Sequence, residues 1–306
     1  MSMNRFTLAH VSDLHLPFEP RLTLRQRLSK RQLSAWSWRR RRHLHRPEIL
    51  EALAADVRAA GVDHVVVTGD ITNFSLPAEF SQAAEWLRAL APGGALSLVP
   101  GNHDALVPVA AAEGLAHWAD WTRSDMGWPF VHRIGALSLI GLDSALPTAP
   151  LLARGRLGAA QLERLEQVLA AEAGRLRVVA LHHPPAEGAI GWRKALADRP
   201  ALAAVLRRAG AELVLHGHAR DARLDALPGP REPIPCLCVP SSSALPSAWD
   251  QGARWHRLSV LDAVERRLEV EVRRWWPDDR AFVVGARYTL CLPRAAAARP
   301  AAPIGP

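Results

Sequence analysis

Five short stretches of the sequence gather the residue types that bind metal ions and move protons. They are DLH with Asp13 and His15, GDITN with Asp70 and Asn73, GNHD with Asn102, His103 and Asp104, HHPP with His182 and His183, and HGHAR with His216, His218 and Arg220. Taken singly, each has an ordinary explanation, since an aspartate after a strand is usually a turn or helix cap. Each stretch, however, follows an apolar run, so five buried strands would end in Asp, Asn or His. Two divalent cations roughly 3.5–4 Å apart can hold a hydroxide between them and grip both the attacking and the leaving oxygen of a phosphoester. That chemistry needs a bridging carboxylate and mixed nitrogen and oxygen ligands, a donor set that suits Mn, Fe or Zn. Glycines before Asp70 and Asn102 let the backbone turn sharply there. HGHAR is the exception in the series, because Arg220 carries a fixed positive charge and cannot bind a cation.

The elements that must carry these residues repeat as strand, loop, helix. Apolar runs at 6–12, 63–69, 95–100, 136–142, 176–181, 211–215 and 234–240 read as buried strands. Helices are expected over 47–61, with Pro47 in its first turn and Gly61 as its stop, and over 77–90, with Ser75 as its cap. Two more are expected over 158–174, with Leu162, Leu165 and Leu169 on one face, and over 200–210. RLEVEVRRW alternates apolar and charged residues, the pattern of a half-buried antiparallel strand. Continuous apolar strands between helices imply an α/β protein with its sheets buried. Ligands in such folds bind beyond the carboxyl ends of the strands, which is where the five stretches fall. One domain is expected over 1–293, with a basic insert at 20–46 and a disordered Pro/Ala-rich tail at 294–306.

In their order and spacing, DLH, GDITN, GNHD, HHPP and HGHAR resemble the calcineurin-like metallophosphoesterase superfamily, over about 10–293. The resemblance implies a four-layer α/β/β/α sandwich of two mixed sheets flanked by helices. It implies hydrolysis of a phosphomonoester, phosphodiester or pyrophosphate by attack of a metal-bound hydroxide at a dinuclear centre. By the same resemblance Asp13 and His15 would hold the first metal, Asp70 would bridge, and Asn102, His182 and His218 would hold the second. His182 is preferred to His183 because Pro184 then completes the family's H-x-P spacing. His103 would stabilise phosphoryl charge or protonate the leaving oxygen, with Asp104 orienting its ring. Asn73 and Asp143 read as structural, and His216 as inward-facing or in a supporting position. The family places a last histidine where this chain has Arg220, and three readings stay open. The first metal binds weakly with Arg220 swung away, or Asp221 substitutes as a ligand. Otherwise Arg220 replaces that metal's charge, touching substrate phosphate in a one-metal enzyme or an inactive relative.

The 306 residues are 49% hydrophobic, enough for a large core. No apolar run is long enough for a transmembrane helix, no secretory signal is evident, and three cysteines make no disulfide framework, so a reducing cytoplasm is expected. Residues 21–46 hold ten Lys/Arg and no Asp or Glu, so of the formal net charge of +8 the rest of the chain carries −2. The excess of cations therefore belongs to one insert rather than to a whole face, against a globally basic nucleic-acid binder. Trp36 and Trp38 lie beside four arginines, and Leu24, Leu28, Trp36 and Leu44 can cluster on one side. The insert reads as a solvated helical cap, as a contact for an anionic membrane surface that would make the protein peripheral, as a nucleic-acid contact or as a site for a protein partner. The substrate is expected to be a phosphorylated small molecule or lipid. The rival functions are a non-catalytic phosphoryl-binding protein and a nuclease or nucleic-acid-binding protein.

Overall fold

The computed structural model describes residues 4–122, 127–262 and 266–293, so the Pro/Ala-rich segment 294–306 lies outside the described residues. Twelve strands form two six-stranded mixed sheets among them. In the first, β1 (Asn4–Val11), β2 (His64–Val67) and β3 (Leu96–Leu98) run parallel. The second carries β4 (Phe130–Ile134), β5 (Leu137–Gly141), β6 (Leu176–Ala180), β7 (Leu213–His216), β8 (Arg223–Leu227) and β9 (Ile234–Cys238), with spatial order β4-β5-β6-β7-β9-β8. The strands β10 (Arg254–Asp262), β11 (Arg266–Trp276) and β12 (Ala281–Cys291) return to the first sheet as an antiparallel extension beside β1. Of that extension the sequence predicts only β11, and β4 and β8 are likewise unanticipated.

The helices follow from the apolar spacing. In α3 (Pro47–Ala59), Ile49, Leu50, Leu53 and Val57 pack on Ala9, Val11, Val65 and Val67, the outer face of the first sheet. The helix α4 (Pro77–Leu90) joins it there through Phe80, Ala83 and Leu87, with the short α5 (Ala119–Thr122) nearby. On the second sheet, α6 (Ala159–Ala171) and α7 (Arg199–Ala209) lay Leu162, Leu165, Leu202 and Val205 against Ile140, Val179 and Val214. The inner faces meet through Leu8, Val66, Leu258 and Val270 on one side and Leu139, Val178, Leu213 and Leu237 on the other. The result is the expected α/β/β/α sandwich, with the tips of β1, β2, β3, β6 and β7 gathered along one edge.

Two short helices fold from the basic insert. Thr23 caps α1 (Leu24–Arg27) and Ser29 caps α2 (Lys30–Arg41) by accepting from backbone N–H groups of the first turn. The expected cap of α4 is corrected. Leu76 holds the cap position, and the Glu79 carboxylate accepts from Leu76 N at 3.0 Å and Asn73 N at 2.7 Å. Ser75 instead adopts φ 52°, donates its hydroxyl to His103 O at 2.8 Å and accepts from Leu106 N at 2.8 Å. It fastens two site loops together.

Candidate metal centre and cleft

Asp13, His15, Asp70 and His218 are buried and non-glycine, yet all hold positive φ, between 42° and 65°. Left-handed backbone costs about 1–3 kcal/mol per non-glycine residue and persists only where surrounding structure enforces it. Here the enforcement is a lattice of short bonds. Asp13 N donates to Gly69 O at 2.9 Å and His15 N to Asp70 O at 2.9 Å. A side chain on Gly217 would overlap Ser12 Oγ and Asp13, so only glycine brings β7's tip so close to β1's.

Around Asp70 the expected second-site residues converge. Asp70 Oδ2 lies 3.5 Å from His182 Nε2, which is 3.1 Å from His218 Nδ1 and 3.3 Å from Asn102 Oδ1. The far ring nitrogens fix the tautomers. His182 Nδ1 donates to Thr68 O at 2.6 Å, and His218 Nε2 donates to Lys194 O at 3.1 Å. Both remaining ring nitrogens therefore turn lone pairs toward the same point as the Asn102 and Asp70 oxygens. Four lone pairs at such spacing repel unless a proton or a cation lies among them. Although burial opposes it, Asp70 and then Asp13 raise the His182 imidazole up to about 9, so this point stabilises positive charge. The donor set fits a divalent ion.

The other side of Asp70 is different. His15 Nε2 is 3.8 Å from Asp70 Oδ2 and 4.0 Å from Asp13 Oδ1. Its Nδ1 faces Asn73 Oδ1 at 3.1 Å and, since that oxygen only accepts, donates to it. That leaves the Nε2 lone pair for the site, and Arg220 Nη2 donates to it at 2.8 Å, with Arg220 Nε 3.9 Å from Asp13 Oδ1. Burial, then Arg220, holds the His15 imidazole well below its usual range, so the ring is neutral. In the structure the Arg220 guanidinium stands at the first position, between His15 and Asp13. It is not swung away. Asp221 lines the cleft but pairs with Arg223 at 3.5 Å. Asp13 Oδ1 is buried without a hydrogen-bond partner among the described residues, and the Arg220 guanidinium lies 3.9 Å from it.

His103 lines the cleft, 4.9 Å from the His15 ring. Its Nδ1 donates to Asn73 O at 3.1 Å, which leaves Nε2 for the cleft, and its backbone N donates to Asp70 Oδ1 at 2.7 Å. Burial pushes its imidazole down to about 4. The expected role of Asp104 is corrected. It makes no bond to the His103 ring and instead accepts from the backbone N–H of Asp70 at 2.8 Å, Thr72 at 2.8 Å and Gly101 at 2.8 Å. An anion among inward-pointing N–H groups fixes the loop that carries Asp70, and Asn73 takes the ring-orienting role. Asp143 caps a turn through Ala145 N, His183 hydrogen-bonds Ser144, and the buried His216 keeps Nε2 unpaired.

The insert is a wall of this site. Arg31 donates to Phe74 O and Ser75 O, Ser34 to Asn73 O, and Lys30 to Thr148 Oγ1 and Leu152 O. Trp38 is buried and stacks on His45, whose ring is 4.8 Å from His15. Of the four-arginine run, Arg41 alone lines the cleft; burial and then Arg220 bring its guanidinium down to about 10. Nothing in RRRR marks it out, because only the rotation of α2 selects it. Lys194, also missed from sequence, is lowered by burial and by Arg220 and Arg41. Three crowded cations thus floor a cleft of about 1010 Å³. The four-residue apolar cluster expected on the insert does not form as such. Leu44 lines the cleft, while Leu24, Leu28 and Trp36 are 80%, 91% and 54% exposed.

A four-layer sandwich with histidines and carboxylates at its strand tips defines a metallophosphoesterase-type centre. The chain belongs to the calcineurin-like phosphoesterase family, whose model matches residues 6–219. It is 31% identical over 160 residues to the cAMP/cGMP dual specificity phosphodiesterase MT0825 of Mycobacterium tuberculosis, a match covering 51% of this chain and 48% of that protein. The chain thus spans about half the length of this curated relative. In fold it is similar to purple acid phosphatase PPD1 from yellow lupin (Lupinus luteus) seeds, with TM-score 0.58 and 13% identity over 95% of this chain and 54% of that one.

Proposed function

We propose that the protein hydrolyses a phosphoester or pyrophosphate with one divalent cation held by Asp70, Asn102, His182 and His218, and with Arg220 in place of a second. The observation that carries this is the contrast across Asp70: four converging lone pairs on one side, a guanidinium bonded to His15 on the other. When bound, the cation supplies Lewis-acid polarisation of a phosphoryl oxygen and acidifies water. Arg220, held by His15 and Asp13, presents its other N–H groups to phosphoryl oxygens. Arg41 and Lys194 add charge to the same floor, and His103 Nε2 opens on the cleft, where the ring must gain a proton before it can serve the leaving oxygen. The phosphodiester chemistry named for the mycobacterial relative supports a diester as the first substrate to try. Chelation should abolish hydrolysis of a generic aryl phosphodiester, and Mn readdition should restore it. If no phosphoester is cleaved with any metal, the phosphoryl-binding rival is the better reading.

The apolar mouth of the cleft supports an amphiphilic substrate. Leu33, Leu151 and Trp249 line it from three separate segments, and Leu151 and Trp249 are 82% and 83% exposed. On the insert, Leu24, Leu28 and Trp36 are exposed among Arg21, Arg25, Arg27, Arg39 and Arg40. Such a surface suits an anionic bilayer, where each arginine contributes about 1 kcal/mol, and on this reading the protein works in the cytoplasm at a membrane surface. Co-sedimentation with anionic vesicles is expected at low salt and should fade at high salt. Equal binding to neutral vesicles, or none to either, would count against it. Stronger salt-sensitive binding to single-stranded nucleic acid would favour the nuclease rival.

A further inference from the structure

Away from the metal centre, β8 and the antiparallel extension β10–β12 enclose a second cavity of about 620 Å³. Arg254 and Arg274 line it and are directly opposed in the register of β10 and β11. Like charges at such positions are destabilising. The third arginine of the cavity, Arg223, is neutralised by Asp221 and Asp225. Neither Arg254 nor Arg274 makes an ion pair among the described residues, and Asp250 acts on Arg254 only from beyond ion-pair distance. Arg254 donates to the neutral Gln251 Oε1 at 3.0 Å, and Arg274 stacks over Trp276, 4.6 Å from the ring centroid. Stacking uses the flat face of the guanidinium and leaves its N–H edge free. The position of Arg274 is prepared by a β-bulge at Gly285. A Cβ there would lie 3.0 Å from Arg274 Cδ, so glycine makes room for the arginine stem.

His256 lies deeper in the same cavity, 1% exposed, with neither ring nitrogen hydrogen-bonded. A buried imidazole without a partner is uncommon enough to need a reason. Two guanidiniums outside any ion pair and one free imidazole N–H are separate donors that suit a tetrahedral dianion better than a planar carboxylate. Val272, Tyr288 and Leu290 supply an apolar wall beside them. We propose that this cavity is a binding site for a phosphomonoester with an apolar or aromatic body, its phosphate held by Arg254, Arg274 and His256 and its body resting on Val272, Tyr288 and Leu290. The site is separate from the metal centre but touches its support. Gln251, which accepts from Arg254, also donates its backbone N–H to Arg220 O at 3.1 Å.

Tyr288 is the single tyrosine of the chain, which gives this cavity a reporter of its own. The full chain labelled with 3-fluorotyrosine is titrated with phenylphosphonate, which has no ester bond to hydrolyse, and followed by fluorine NMR. A saturable shift of the one resonance is expected, weakening as salt rises. In the Arg254→Gln/Arg274→Gln double variant the apparent affinity should fall roughly tenfold or more, the loss of charge-assisted hydrogen bonds. Should that variant not fold, Arg274→Gln alone, at an exposed position, should show a smaller fall. His182→Ala, which alters only the metal centre, should keep the shift. No shift, or a shift of equal affinity in the folded arginine variants, would overturn the proposal. A shift lost in His182→Ala would show that Tyr288 reports binding in the main cleft, and would overturn it too.

Discussion

Alanine at His103 is expected to lower turnover of an aryl phosphodiester by roughly 10²–10⁴-fold while leaving the fold intact, the usual scale for a proton-transfer residue. The ring is aimed by one bond, Nδ1 to Asn73 O, and packs edge-on to His15. Neither contact carries the fold. The backbone N–H of residue 103, which holds Asp70 Oδ1, survives the substitution. Thermal unfolding should therefore change little. Both roles open to this ring need the imidazolium, since Nδ1 carries the proton of the neutral form, and the leaving group separates them. If His103 protonates the leaving oxygen, the defect will grow as the leaving alcohol becomes less acidic. If it only stabilises phosphoryl charge, the defect will be uniform across leaving groups. A loss of less than about threefold with every substrate would remove His103 from the chemistry.

Asp104→Ala is expected to act first on stability. The carboxylate is buried and accepts from the backbone N–H groups of Asp70, Ile71, Thr72 and Gly101 and from Thr72 Oγ1. Alanine strands four buried donors, each worth about 1–3 kcal/mol unless water reaches it, so a loss of about 4 kcal/mol or more is expected by denaturant unfolding. Because three of these donors belong to the loop of Asp70, metal affinity should fall with stability. Asp104→Asn, which keeps an acceptor oxygen, should recover part of both. A variant that unfolds like the parent yet loses activity would return Asp104 to a direct chemical role.

The strand tips are legible because apolar runs and ligand-type residues alternate there with little intervening sequence. Pro47 and the leucines of α6 likewise announce their helices. What the sequence hides depends on partners far along the chain. β10 and β12 are strands because β11 pairs with both, and an edge strand such as β12, largely exposed on alternate residues, shows no clean alternation. Arg41 differs from Arg39, Arg40 and Arg42 only in the phase of α2. Asp104 resembles a ring-orienting acid by its neighbourhood to His103, but the turn directs it backward onto N–H groups. Arg220 is the clearest case. Its type excludes a metal ligand from the start, while its position on His15 follows from the loop after β7, at φ 60°.

The most direct measurement is elemental analysis of the purified, dialysed protein beside its Arg220→His variant. The expected result is about one divalent ion per chain in the parent and about two in the variant, because histidine frees the Nε2 of His15 and adds a nitrogen ligand. A parent that holds two ions tightly would contradict the placing of Arg220 as the substitute for a cation.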